Sequence, residues 1–222
     1  MRECGMLLPV ASLPSRYGIG AFSKEAYGFI DILKKAGQHY WQILPLGPTS
    51  YGDSPYQSFS AFAGNPYFIN LDRLVEEGLL TEAECTSADF GDNPRAIDYG
   101  KLYLNRFPLL RRAYGRWKEK GHTAAEAKGR LWPETVEYCF YMAVKNRYKG
   151  RTWTLWDKDI RLQKQGAMEA LRHELADETG FYAFLQMKFE EQWSALKSYA
   201  NENGIRIIGD IPIYVALDSA DT

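Results

Sequence analysis

The apolar positions of this chain change their period several times, and each change marks a predicted element. Residues 5–11 form a short apolar run without helical spacing, which predicts a buried strand. Residues 12–22, with the segment LPSRYGIG, carry proline- and glycine-marked turns and predict a loop. Ser23 then stands as a helix N-cap before Ala26, Phe29, Ile30 and Leu33, which share one helical face, and Gly37 stops the helix. Residues 41–46 are a second apolar run. Strand, loop, helix and strand in this order predict a βαβ unit, and with it a parallel sheet or barrel.

The period is then lost. Residues 47–66, GPTSYGDSPYQSFSAFAGNP, follow neither a helical nor an alternating pattern. A loop of this length inside a compact domain is usually functional or disordered. Tyr51, Tyr56, Phe59 and Phe62 argue against disorder, because aromatic side chains call for partners. From residue 70 to 204 the pattern is mainly helical, with helices predicted over 71–78, 81–85, 99–120 and 123–148. Pro108 and Pro133 are expected to start or kink helices rather than lie inside them. The clearest helix spans 166–203: Phe181, Phe184, Leu185, Phe189, Trp193, Leu196 and Ala200 share a face, Gly204 ends it, and Gly180 is a candidate break. Residues 205–216, IRIIGDIPIYVA, predict a third strand. The expected organisation is a first βαβ unit over 1–46, an aromatic loop with a mainly helical insertion and barrel helix over 47–204, and a third strand with its continuation over 205–222. The fold class is α/β.

Composition narrows the function. With 27 Lys+Arg against 28 Asp+Glu the formal charge is −1, which argues against nucleic acid or an anionic membrane as the main partner. Three scattered cysteines, Cys4, Cys85 and Cys139, suggest neither a disulfide framework nor a zinc ribbon. The apolar run 6–10 is too short for a signal peptide, so the expected location is cytoplasmic. Six Trp, 15 Tyr and 11 Phe make 14% of the chain, a content that fits either an aromatic core or a surface for amphipathic ligands.

Several chemistries drop out. The segment GPTSYGDS lacks the Gly-Lys-Ser/Thr ending of a P-loop, and Gly18-Ile19-Gly20 lacks a third glycine. His39, His122 and His173 are scattered and have no neighbour at ligand spacing. Two candidates remain. Asp210 follows a predicted core strand, at the end that faces the active site in an α/β barrel; the alternative is an aspartate that binds the amides of the next turn. The loop 49–66 sets Tyr51, Tyr56, Gln57, Asn65, Asp53 and serine hydroxyls side by side. Flat apolar faces beside hydrogen-bonding groups match a sugar ring, and the alternative is an Ω-loop packed on its own side chains. Tyr99 and Tyr103, four apart at a predicted helix start, fit core packing or ligand stacking.

At this point a resemblance carries the reading further. The segments PVASLPSRYGIGAF, GQHYWQILPLGPTSYGDSPYQSFSAFAGNPYFINLDRL and GIRIIGDIPIYVALDSAD together resemble the N-terminal part of the 4-α-glucanotransferases, the amylomaltases and disproportionating enzymes of glycoside hydrolase family 77. The resemblance implies a partial (β/α)₈ TIM barrel, about its first three strands, with a large helical insertion. It implies transfer of α-1,4-glucan segments between maltodextrins by retaining double displacement, without cofactor or metal, and the remainder of the same barrel as the chain's partner. By the same resemblance Asp210 lies beside the subsite of the transferred sugar, Tyr56 stacks on that sugar, and Ser54 contacts it. Tyr51 and Tyr103 match tyrosines of a second glucan groove in members that make large cyclic glucans. Leu217 stands where many members have glutamate. The family's nucleophile and acid/base lie in motifs that do not occur here, and Asp218 and Asp221 do not match them, so neither role is assigned. On this reading the length is that of a truncated enzyme that folds poorly alone. The competing readings are a non-catalytic glucan-binding module and a related hydrolase or phosphorylase of the α-amylase superfamily.

Overall fold

A computed structural model describes residues 2–50 and 52–222. Strand β1 (Gly5–Leu7), helix α1 (Lys24–Lys35) and strand β2 (Tyr40–Gln42) form the predicted βαβ unit, and β3 (Arg206–Ile208) adds a third strand. The sheet is parallel throughout in the order β1-β2-β3, with Met6 opposite Trp41 and Trp41 opposite Ile207. Trp41 is fully buried, and its indole N–H donates to the Leu8 carbonyl at 2.8 Å. Gly5 sits where any side chain would collide, since a Cβ there would lie 2.5 Å from that of Tyr40. In α1 the apolar stripe buries Ala26, Ile30 and Leu33. Ser23 occupies the N-cap position, but its hydroxyl donates to Glu25 at 2.5 Å instead of capping an amide.

The remaining helices are α2 (Leu71–Glu76), α3 (Glu82–Ser87), α4 (Tyr99–Glu119), α5 (Ala124–Lys128), α6 (Pro133–Arg147), α7 (Lys158–Arg161), α8 (Gln165–Glu174) and α9 (Ala176–Glu202). None among the described residues is long and apolar enough to cross a membrane. Four expectations are corrected. The run 5–11 is strand only to Leu7 and turns through a 3₁₀ segment, Val10–Ser12, after Pro9. Pro108 lies inside α4, where the bond it forfeits is the one to the Leu104 carbonyl, and Leu104 is an exposed residue. The stretch 123–148 splits into α5 and α6, because Pro133 takes the first helical position and keeps Trp132 extended. The long C-terminal helix breaks at Leu175 and runs unbroken through Gly180.

The chain divides into two compact units. The first contains Met1–Leu46, Asn65–Lys120 and Lys188–Ile211; the second contains Gly47–Gly64, Gly121–Met187 and Pro212–Thr222. In the first unit, the Gln192 side chain accepts from the Asn70 amide at 2.6 Å and donates to its carbonyl. In the second, Gln186 does the same for Gly64, at 2.7 and 2.8 Å. Each amide serves a piece of irregular backbone that has no strand beside it.

Helix α3 is tied to α4 through one carboxylate. Glu84 closes a capping box with Thr81, receives both Nη atoms of Arg116 at 2.7 and 2.8 Å, and lies 3.3 Å from Arg112. The Arg116 guanidinium, with help from Thr81, outweighs partial desolvation and pulls the Glu84 carboxyl down to about 2. Because this pKa is depressed in the folded chain, the stability it contributes is present above the usual glutamate range and is lost as pH falls toward 2. Glu84→Gln is expected to cost about 1 kcal/mol in urea unfolding near neutral pH. The gap to the parent chain should close as the pH is lowered from about 4.5 to about 2. A gap that stays constant with pH would remove this role.

Candidate functional site

The aromatic loop begins at Gly47 and is closed at its base in the first unit, where the Asn65 amide donates to the Leu46 carbonyl at 2.8 Å. Within the second unit the loop is a series of side-chain-braced turns. Thr49 and Ser58 form an isolated antiparallel bridge, and the Ser50 amide donates to Gln57 at 3.0 Å. Ser58 is buried; its hydroxyl donates toward the carbonyls of Pro48 at 2.8 Å and Ser60 at 2.7 Å and accepts from the Ser60 amide. Gly47 leaves room for that hydroxyl, since a Cβ there would come within 2.9 Å of it. At the tip, Asp53 has φ 55°, and burial pushes its carboxyl up. The tip turns are closed by Gln57 donating to the Ser54 carbonyl at 3.1 Å and Tyr56 donating its amide to the Ser54 hydroxyl at 3.3 Å.

These turns bring Ser54 and Tyr56 together on one short segment, with Tyr56 43% exposed. Tyr51 lies outside the described residues. In the first unit, Tyr103 stands on the first turns of α4, which starts at Tyr99 as expected. It is 60% exposed, its ring centre is 5.6 Å from that of Phe107, and Phe107 is in turn 6.0 Å from Tyr67. An exposed tyrosine on an aromatic base is a surface suited to stacking.

Asp210 also belongs to the first unit, two residues past β3. The expected buried strand over 205–216 is corrected: only Arg206–Ile208 is extended, Arg206 and Ile208 are exposed, and residues 209–216 are irregular. Pro212 has no amide to offer a ladder, and among the described residues β3 pairs with β2 alone. Asp210 is half-buried and accepts from the Ile211 amide at 2.8 Å, the bond expected of an aspartate that fixes the next turn.

Sequence reasoning passed over a further cluster in the second unit. Lys145 and Asp218, with side chains 5% and 16% exposed, pair at 2.5 Å. Asp218 also accepts from the Tyr141 hydroxyl at 2.7 Å and the Trp153 amide at 3.2 Å. Burial pushes the Asp218 carboxyl up, but Lys145 and Tyr141 outweigh it and leave it below the ordinary aspartate range. Lys145 lies 5.0 Å from the ring centre of Phe59, and Phe59 packs with Trp153 and Ala220 against an apolar cluster that includes Phe140, Tyr141, Val144 and Trp156. Leu217 is exposed, while its carbonyl accepts from the Trp153 indole at 2.7 Å. A signal was present: Lys145 falls on the face that α6 buries, beside Tyr141 and Val144, where a lysine calls for a buried acid. No group of three metal-ligating residues occurs among the described residues.

A βαβ entry to a parallel sheet, a long braced loop after the second strand and an aspartate after the third define an α/β protein with its polar chemistry in the connecting loops. The sequence profile of the 4-alpha-glucanotransferases matches residues 8–222, and the chain belongs to that family. It is 48% identical to the 4-alpha-glucanotransferase of Clostridium butyricum over 96% of its own length, and 48% identical to that of Streptococcus pneumoniae over 99%. It spans 44% of the length of each of these relatives. Its fold is similar to that of an amylomaltase from Streptococcus agalactiae solved in complex with acarbose. The TM-score is 0.95 at 38% identity, covering 100% of this chain and 45% of the other.

Ser58→Ala is expected to cost about 1–2 kcal/mol, since it strands the Ser60 amide in a buried turn. Thermal unfolding and limited proteolysis within 47–64 should both report it. An unchanged melting temperature and cleavage rate would show that the hydroxyl does not brace the loop.

Proposed function

We propose that this chain forms the N-terminal part of a 4-α-glucanotransferase that moves α-1,4-glucan segments between maltodextrins in the cytoplasm. The observation that carries the reading is the match of the whole chain, at a TM-score of 0.95, to an amylomaltase solved in complex with acarbose. The sheet supports its extension: Met6 and Leu7 on β1 and Ile208 on β3 are exposed apolar side chains, which further strands of a (β/α)₈ barrel would cover. In this reading the partner of the chain is the remainder of its own barrel.

The proposed division of labour follows the side chains. Tyr56 offers a flat face and Ser54 a hydroxyl to the sugar whose bond is exchanged; Asp210 is assigned to sugar binding by the family resemblance. By the family resemblance, Tyr51 and Tyr103 are each assigned to binding a longer glucan. The retaining reaction needs two further carboxyl groups about 5–5.5 Å apart, one to attack the anomeric carbon and one to protonate the departing glucan. Neither is assigned to this chain. A glucan 4-hydroxyl then attacks the glycosyl intermediate, deprotonated by the residue that first acted as acid. Transfer outruns hydrolysis when acceptor sugar occupies the site and excludes water, which is the task an aromatic loop suits.

The test is incubation of the intact protein with maltotriose, followed by chromatography of the products. Glucose together with maltodextrins longer than the substrate is the expected result. Shortening without longer products would identify a hydrolase, phosphate-dependent turnover a phosphorylase, and binding without turnover a glucan-binding module. Each of the three overturns the proposal.

A further inference from the structure

The segment 217–222 makes more polar contacts to the aromatic loop than a connecting segment requires. Asp221 accepts from the Ser60 hydroxyl at 2.9 Å and from the Ala61 amide at 2.7 Å, and the Ala220 amide donates to the Phe59 carbonyl at 2.8 Å. Ser60 is nearly fully buried, and its hydroxyl also accepts from the Phe62 amide at 3.1 Å. The segment is itself anchored, because Asp218 is held by Lys145, Tyr141 and the Trp153 amide, and Leu217 by the Trp153 indole. From Ser60 the bonding continues up the loop. Ser58 donates to the Ser60 carbonyl, Thr49 pairs with Ser58, Ser50 donates to Gln57, and Gln57 donates to Ser54, whose hydroxyl receives the Tyr56 amide.

We propose that Asp221 is a positioning residue for sugar recognition: its clasp on Ser60 and Ala61 sets the shape of the loop that presents Ser54 and Tyr56. This rests on the transferase reading of those two residues. Among its described residues the loop has one isolated bridge and no ladder, so its shape depends on such point contacts. A carboxylate suits the position because it accepts from both donors at once. Asparagine retains most of the clasp, with its carbonyl accepting from Ala61 and its amide donating to the Ser60 oxygen. Alanine retains none.

The experiment compares Asp221→Ala, Asp221→Asn and Ser60→Ala with the parent in the intact protein, using maltotriose as donor. Asp221→Ala and Ser60→Ala should raise KM about tenfold while kcat changes less than about threefold, the pattern of lost ground-state binding. Asp221→Asn should lie within about threefold of the parent in both constants. A role limited to folding would instead lower the active fraction and leave KM alone. Hydrogen exchange at the Ala61 amide should accelerate in Asp221→Ala and not in Asp221→Asn. If the parent transfers glucan and the Asp221→Ala protein keeps its KM, this inference fails and the transferase reading stands. If the parent does not transfer, that reading fails, and maltoheptaose affinity by calorimetry decides the inference. A weaker affinity in Asp221→Ala sustains it, whereas equal affinity or no binding by the parent overturns it. Should Asp221→Ala not fold, Ser60→Ala decides the matter by the same KM criterion.

Discussion

Lys145 and Asp218 meet at 2.5 Å in an environment that leaves little water for either, and the second unit depends on that meeting. Taking two charges out of water costs several kcal/mol per ion unless each finds a full set of partners. Here the aspartate also receives a phenol and a backbone amide, and the ammonium lies near the Phe59 ring. The pair joins α6 to the segment 217–222, and Phe59, on the aromatic loop, packs into the same apolar cluster. Phe59 of the aromatic loop and the segment 217–222 are thereby tied to α6 by side-chain contacts.

The first unit solves a different problem with the same means. Its sheet has short strands, so much of the backbone leaving it is irregular and must be satisfied elsewhere. Gln192 serves Asn70, the Asn65 side chain caps Tyr67, and the Trp41 indole reaches back to Leu8. These bonds hold the irregular backbone at Leu8, residues 65–67 and Asn70. Function in such a protein sits in loops, and the regular elements supply the fixed points from which they leave.

Much of this was legible in the sequence because apolar periodicity reports burial directly. The βαβ unit follows from Ala26, Ile30 and Leu33 lying between two apolar runs, and the aromatic loop from the loss of any period at Gly47. Element lengths were not legible. Residues 205–216 read as one strand because β-branched residues continue past Ile208, yet extended pairing needs a neighbour as well as propensity. Pro108 lies inside α4 with its i−4 residue, Leu104, on the exposed side, a fact of position that no local pattern states. The two aspartates of 217–222 were hidden for a related reason. Asp218 and Asp221 gain their roles from residues 77 and 161 positions away, Tyr141 and Ser60, and only the folded chain brings them together.

If Lys145 and Asp218 act as one unit, a double-mutant cycle on unfolding free energy will show it most directly. Lys145→Met and Asp218→Asn should each cost about 3 kcal/mol, because each leaves the other partner buried and uncompensated. The double variant should cost less than the sum by about 1–3 kcal/mol. Costs that add to within about 0.5 kcal/mol would contradict this, since independent residues could not hold the segment 217–222 and the loop through a single contact.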